Sequence, residues 1–170
     1  MIISPDLFWI PGSWRGRLAV AARPRGGDWL EDEINGLRAA GIDVLVSLLE
    51  DDEAVQLGLT DEPAAARARG IRFIAFPIPD RGVPDSTDMA LSLIADIGKS
   101  LAEGKNVAIH CRQGIGRSGL IASGVLAASG VSSDRATGIV SSARRLTVPE
   151  TPEQGLWLQR LPFALPVTAG

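Results

Sequence analysis

The chain has 170 residues, 45% of them hydrophobic and 22% charged, which suits one folded domain with its own core and excludes a disordered, collagenous or disulfide-stapled protein. A net charge of -3 and an isoelectric point near 5.2 argue against a surface built to neutralise nucleic-acid phosphates or anionic lipid, so any anion binding must be local. Met1 to Arg17 shows no basic leader ahead of an apolar run and no lipidation motif, and the most apolar helical stretch, Leu120 to Ala128, is far shorter than a bilayer span. A single domain over residues 1–170 with its core at about 7–161 is expected, in the cytoplasm, with neither nucleic acid nor membrane as partner.

In chain order, Leu7 to Ile10 and Arg17 to Ala22 read as short strands around the turn Pro11-Gly12-Ser13, pairing as a hairpin at a sheet edge. Asp28 is placed to cap a helix running to about Ala40, with Ile34 and Leu37 inward and Gly41 after its end. Asp43 to Leu49 then reads as a buried strand. Helical pieces fill Glu50 to Leu57 and Thr60 to Ala68, and Ile71 to Ile78 is the next strand, broken by Pro77 and Pro79. Ser86 begins a helix to about Ala102 whose inner face carries Ala90, Ile94, Ile97 and Leu101. Asn106 to His110 is another apolar strand, followed by helices near Ser118 to Ala128, Ser132 to Arg145 and Pro152 to Leu161, and a short, loosely held tail. Strands alternating with helices of this length predict an α/β fold: a mostly parallel sheet with helices on both faces.

The strand ending at His110 runs into Cys111-Arg112-Gln113-Gly114-Ile115-Gly116-Arg117-Ser118 and then into a helix. Strand, glycine-bearing loop and helix N-terminus together form an anion cradle, in which successive backbone N–H groups and the helix dipole can wrap a phosphate without a lysine cluster. The same donors favour a thiolate on Cys111, the only cysteine, and hold it for in-line attack. Arg117 is placed at the rim, where a planar guanidinium takes two phosphoryl oxygens at once. Ser118 can donate to the cysteine sulfur as it leaves, and His110, the only histidine, orders the loop through its ring hydrogen bonds. The phosphate-binding set is thus Arg112, Gln113, Gly114, Ile115, Gly116 and Arg117. The plainer reading of Cys111 is an inert core cysteine.

His110-Cys111-x5-Arg117-Ser118 resembles the signature of the cysteine-dependent protein tyrosine and dual-specificity phosphatase superfamily, and the small chain is similar to its dual-specificity branch. Pro77-Ile78-Pro79-Asp80-Arg81-Gly82-Val83-Pro84-Asp85, with the leucine-glutamate run after the strand Asp43 to Leu49, most resembles the compact subgroup around the cyclin-dependent kinase-associated phosphatase. The resemblance implies a phosphocysteine intermediate and places the proton-transferring acid on the loop carrying Asp80, with Asp85 in reserve. The bland reading of Asp80 is a turn beside Gly82, and that of Asp85 a residue preceding the Ser86 cap. Ile78 replaces the tryptophan of the better-studied Trp-Pro-Asp version, so lid closure is expected to be smaller.

Gln154 could place the hydrolytic water, as a glutamine does in some relatives, yet Thr151-Pro152-Glu153-Gln154 also reads as a capping box. Glu50 to Glu53 read mainly as acids favouring a helix N-terminus, with a charge role near the cradle as the lesser reading, and Arg144 and Arg145 as a solvated helix end. No cofactor or metal is expected. The expected partner is a phosphorylated protein or peptide, with phosphate or another oxyanion in the site; inositol phosphates are less favoured because the loop has no lysine. A non-catalytic phosphate binder is the rival from another class. Arsenate reduction lacks its resolving cysteines, and the nucleotide-binding Gly-x4-Gly-Lys-Ser/Thr motif does not occur.

Overall fold

Strands covered on both faces show no polar alternation, and the continuous apolar runs of the sequence accordingly become the centre of one sheet. In the computed structural model, which describes residues 3–163, the strands are β1 (Phe8–Ile10), β2 (Leu18–Ala21), β3 (Val44–Ser47), β4 (Arg72–Ala75) and β5 (Val107–His110). Their order across the sheet is β1-β2-β5-β3-β4. β1 pairs antiparallel with β2 at one edge, forming the expected hairpin, and the other pairs are parallel. β5 therefore lies in the middle, with all four of its residues buried.

The helices are α1 (Leu30–Ala39), α2 (Asp51–Gln56), α3 (Glu62–Ala68), α4 (Thr87–Ala102), α5 (Gly116–Ala128), α6 (Ser133–Arg144) and α7 (Pro152–Gln159). Side chains alternate across a strand, so the sheet feeds two separate cores. Val46, Val107 and Ile109 meet Ile94, Ile97 and Leu101 of α4 and Ile121 and Val125 of α5. Leu45 and Ala108 point the other way, to Leu30, Ile34 and Leu37 of α1 and Ala66 of α3. The α/β architecture is as the sequence predicts. Among the described residues no helix is long and apolar enough to cross a membrane.

The differences lie at element ends. Asp28 does not cap α1: it sits inside a single 3-10 turn, Gly27–Trp29, and Trp29 precedes the helix without a side-chain cap. That turn is held instead by Gly27 N–H donating to the Gly58 carbonyl. β4 stops at Ala75, because Pro77 and Pro79 have no N–H for the ladder; Phe76 and Ile78 still donate to Ser47 and Leu48. Ser86 caps α4 as expected, its hydroxyl accepting from Met89 N–H at 3.2 Å. α5 begins at Gly116 rather than Ser118, which puts Arg117 and Ser118 in its first turn. Residues 164–170 of the expected loose tail lie outside the described residues.

Ile94 is one close contact of α4 with α5, where a methyl added at Gly124 would come within 2.7 Å of its Cδ1. Ile94→Ala should therefore cost about 2–5 kcal/mol in urea denaturation, with one cooperative transition retained; a loss below 1 kcal/mol would show this contact to be slack.

Candidate active site

Parallel sheets expose their binding crevices beyond the carboxyl ends of central strands, and β5 ends there. The chain leaves β5 at His110, turns through residues 111–115 and enters α5 at Gly116. Cys111 sits at the base, 3% exposed, with Sγ 3.3 Å from Ser118 Oγ. Above it is a cavity of about 240 Å³ lined by Cys111, Arg112, Gln113, Ile115, Gly116 and Arg117 from this loop, by Asp80 and Arg81, and by Glu150. The candidate nucleophile, guanidinium and acid share one small space.

Gly114 is not among the residues lining the cavity, so its place in the expected phosphate-binding set rests on its backbone N–H. It has φ +72°, and a methyl there would come within 2.5 Å of the Ala21 carbonyl carbon, so only glycine lets the loop rest on the end of β2. Arg144 is a correction. It is not a solvated helix end: its Nε donates to the Gly114 carbonyl at 2.8 Å and its Nη2 to the Gln113 carbonyl at 3.1 Å, while its guanidinium lies 4.0 Å over the Phe8 ring. A trans peptide sets N–H opposite C=O, so carbonyls drawn outward by Arg144 leave the Gly114 and Ile115 N–H groups on the opposite side.

Arg117 is 2% exposed, and a buried charge must be paired. Its Nη1 and Nη2 bond Glu53 Oε1 and Oε2 at 2.6 and 3.0 Å, and Nη1 also donates to the Ile78 carbonyl at 3.0 Å. Burial opposes the charge on Glu53, but the Arg117 hydrogen bond, the Glu50 N–H and the charges of Arg117 and Arg112 outweigh it and hold the carboxyl below its ordinary value of 4.5. Burial likewise opposes the charge on Arg117, and Glu53, Cys111 and Asp80 overcome it, raising its affinity for the proton. The acids Glu50 to Glu53 do start α2 through a capping box, yet Glu53 meets the cradle's arginine at the same time, the lesser of the two readings. Spacing alone could not show this, because the partners are 64 residues apart.

Asp80 Oδ1 lies 3.3 Å from Arg117 Nη2. Arg81 beside it has φ +60°, a conformation uncommon for a side chain this large, and three bonds hold the turn there. Arg81 Nη1 pairs with Glu150 Oε1 at 3.1 Å, Thr151 Oγ1 donates to the Arg81 carbonyl at 3.4 Å, and Gln154 Nε2 donates to the Gly82 carbonyl at 3.0 Å. Asp85 is exposed and does not line the cavity. Gln154 is fully buried, and its Oε1 accepts from Glu150 and Thr151 N–H, completing the capping box of α7. Glu150 carried no recognisable motif and was missed; Oε2 stands where a methyl at Gly116 would come within 2.3 Å. His110 is buried, with Nδ1 3.1 Å from the Cys111 carbonyl and Nε2 2.6 Å from Glu62 Oε2, a partner also invisible to spacing.

Residues 19–131, more than half of the chain, match the model of a family described as "Tc-R-P: Polymorphic toxin system, DSP-PTPase phosphatase". The chain belongs to this family. The chain is also similar to Tk-PTP in its active form, at 32% identity, a TM-score of 0.76, and coverage of 92% of this chain and 96% of that one. Kinase-associated phosphatase with serine for its catalytic-site cysteine superimposes with a TM-score of 0.80 at 18% identity, over 92% and 93% of the two chains, and a variant of human DUSP28 with 0.67 at 20%, over 92% and 93%. These two show the fold. No curated protein matches the chain by sequence. As a DSP-PTPase, the protein is a cysteine-dependent phosphatase and hence a hydrolase.

Removing one partner of a buried ion pair leaves the other uncompensated, so Glu53→Gln should cost about 3 kcal/mol and lower kcat/KM by freeing Arg117. Because the folded carboxyl ionises below 4.5 and the unfolded one near it, the Glu53 contribution is complete above pH 4.5 and lost as the pH falls through the lowered folded value. Thermal melts of both proteins should therefore converge below pH 4.5; a constant gap down to the acid limit would mean that the carboxylate charge contributes nothing.

Proposed function

We propose that this phosphatase hydrolyses phosphate monoesters of proteins, phosphotyrosine first and phosphoserine or phosphothreonine as further candidates, through a phosphocysteine on Cys111. The observation that carries the reading is the single cavity of about 240 Å³ in which Cys111, Arg117 and Asp80 meet. The ionised Sγ attacks phosphorus in line, the P–O ester bond breaks, and Asp80 gives its proton to the departing oxygen. Arg117 and the loop N–H groups stabilise charge on the equatorial oxygens throughout. Water then loses a proton to Asp80 and attacks phosphorus; the S–P bond breaks, Ser118 donates to the returning sulfur, and inorganic phosphate leaves. His110 keeps the loop in shape, and Gln154 acts by holding the Asp80 turn, with water placement as its further role.

Arg81 and Arg112 on the rim face Asp80 and Glu150, a mixed field that favours one phosphoryl group over a multiply phosphorylated small molecule. One domain over residues 1–170 performs the whole reaction, without metal or cofactor. A reducing cytoplasm suits a reaction that depends on a free thiol.

Cys111→Ser should reduce aryl phosphate turnover to background while phosphate still binds by calorimetry; retained turnover would require another nucleophile, and binding without turnover in the wild type would make the chain a phosphate-binding module. Asp80→Asn should slow hydrolysis about 100-fold for poor leaving groups and much less for nitrophenyl phosphate. Asp85→Asn and Glu150→Gln are the comparators, and whichever shows the larger leaving-group dependence takes over the acid role. A panel of phosphotyrosine, phosphoserine and phosphothreonine peptides beside inositol phosphates should show a preference for the phosphotyrosine peptide; faster release from inositol phosphates would overturn the protein-substrate assignment.

A further inference from the structure

Alternation along β5 sends Val107 and Ile109 to the α4/α5 core and Ala108 to the α1/α3 core. His110 is next in the pleat and falls on the side of Ala108, where it is 1% exposed. Glu62, the first residue of α3, is 2% exposed and places Oε2 2.6 Å from His110 Nε2. Neither residue lines the phosphate cavity, so neither touches the substrate. The other ring nitrogen, Nδ1, lies 3.1 Å from the carbonyl of the candidate nucleophile's own residue.

A carbonyl oxygen only accepts, so the hydrogen of this contact must sit on Nδ1. A neutral imidazole carries one hydrogen, and the opposite tautomer would set two lone pairs against each other. With Nδ1–H in place, Nε2 is either bare and needs a donor, or protonated and needs an acceptor. At 1% exposure the ring must find that partner within the protein. A carboxyl group meets both needs: as the acid it donates to bare Nε2, and as the carboxylate it accepts from Nε2–H. In either form one hydrogen lies between the two groups and the pair carries no net charge. Arg23, Arg25, Asp6 and Glu33 line a separate cavity of about 300 Å³ that reaches His110, but the ring nitrogen is bonded to Glu62.

We propose that Glu62 is a positioning residue of the catalytic loop, holding hydrogen on His110 Nδ1 and so turning the Cys111 carbonyl toward α3. The N–H of the same trans peptide, that of Arg112, is thereby fixed on the opposite side, as one of the donors around the phosphate. Polarisation along the chain from carboxyl to imidazole to peptide strengthens that donor. The assignment rests on the phosphocysteine reading for its consequence in turnover, but not for its chemistry at the ring.

Because His110 is the only histidine, isotope labelling of histidine nitrogens gives a single imidazole to observe by NMR. In the wild type Nδ1 should appear protonated. Glu62→Leu, which leaves Nε2 without its partner, should weaken this preference and lower kcat/KM about 10-fold, the worth of one hydrogen bond. Glu62→Gln, whose amide can donate to bare Nε2, should keep Nδ1 protonated and stay within about 3-fold of wild type. An unprotonated Nδ1 in the wild type overturns the proposal even if Glu62→Leu fails to fold. So does a folded Glu62→Leu with unchanged Nδ1 and turnover, or an equal loss in both variants. Absence of wild-type turnover would instead refute the phosphocysteine reading, leaving the Nδ1 signal to decide on Glu62.

Discussion

The bidentate pair between Arg117 and Glu53 is the constraint around which the site is arranged. A guanidinium at 2% exposure could not be tolerated without a partner, and the partner must come from outside the loop because the loop itself supplies donors. Glu53 does this from α2 while also capping that helix, so α2 and the first turn of α5 are tied to one another. The Ile78 carbonyl adds the segment that leads to Asp80. The ion pair and this hydrogen bond together set Arg117 beside Asp80.

Around it, three features of the chain shape the rim. Arg144 draws two loop carbonyls away from the cavity, Gly114 lets the loop rest on β2, and the Glu150–Gln154 segment holds the turn carrying Asp80. Of these groups only Glu150 lines the cavity, so the loop donors and the Asp80 turn are oriented mainly from outside it. Preorganisation of this kind is what makes backbone dipoles effective, since they need not reorient as charge develops.

Much of this was legible in the sequence, for identifiable reasons. Buried parallel strands are written as apolar runs, helix ends as Ser86 and the glycines, and the cradle as a contiguous motif from His110 to Ser118, so local order was sufficient. Asp28 misled because a 3-10 turn intervenes between it and α1. Glu53, Glu62, Arg144 and Glu150 owe their positions to contacts distant in sequence, where an acid or arginine carries no mark distinguishing a solvated position from a paired one. Gln154 could be read two ways, and its amide serves the cap and the acid turn together.

The solitary thiol has one more consequence. A peroxide that enters the cavity would convert Sγ to a sulfenic acid, and the chain holds no second cysteine to trap it as an internal disulfide. The way back would run through a neighbouring backbone nitrogen or a small thiol from solution. Recovery from oxidative stress is then set by the supply of reductant around the molecule, and not by any relay built within it.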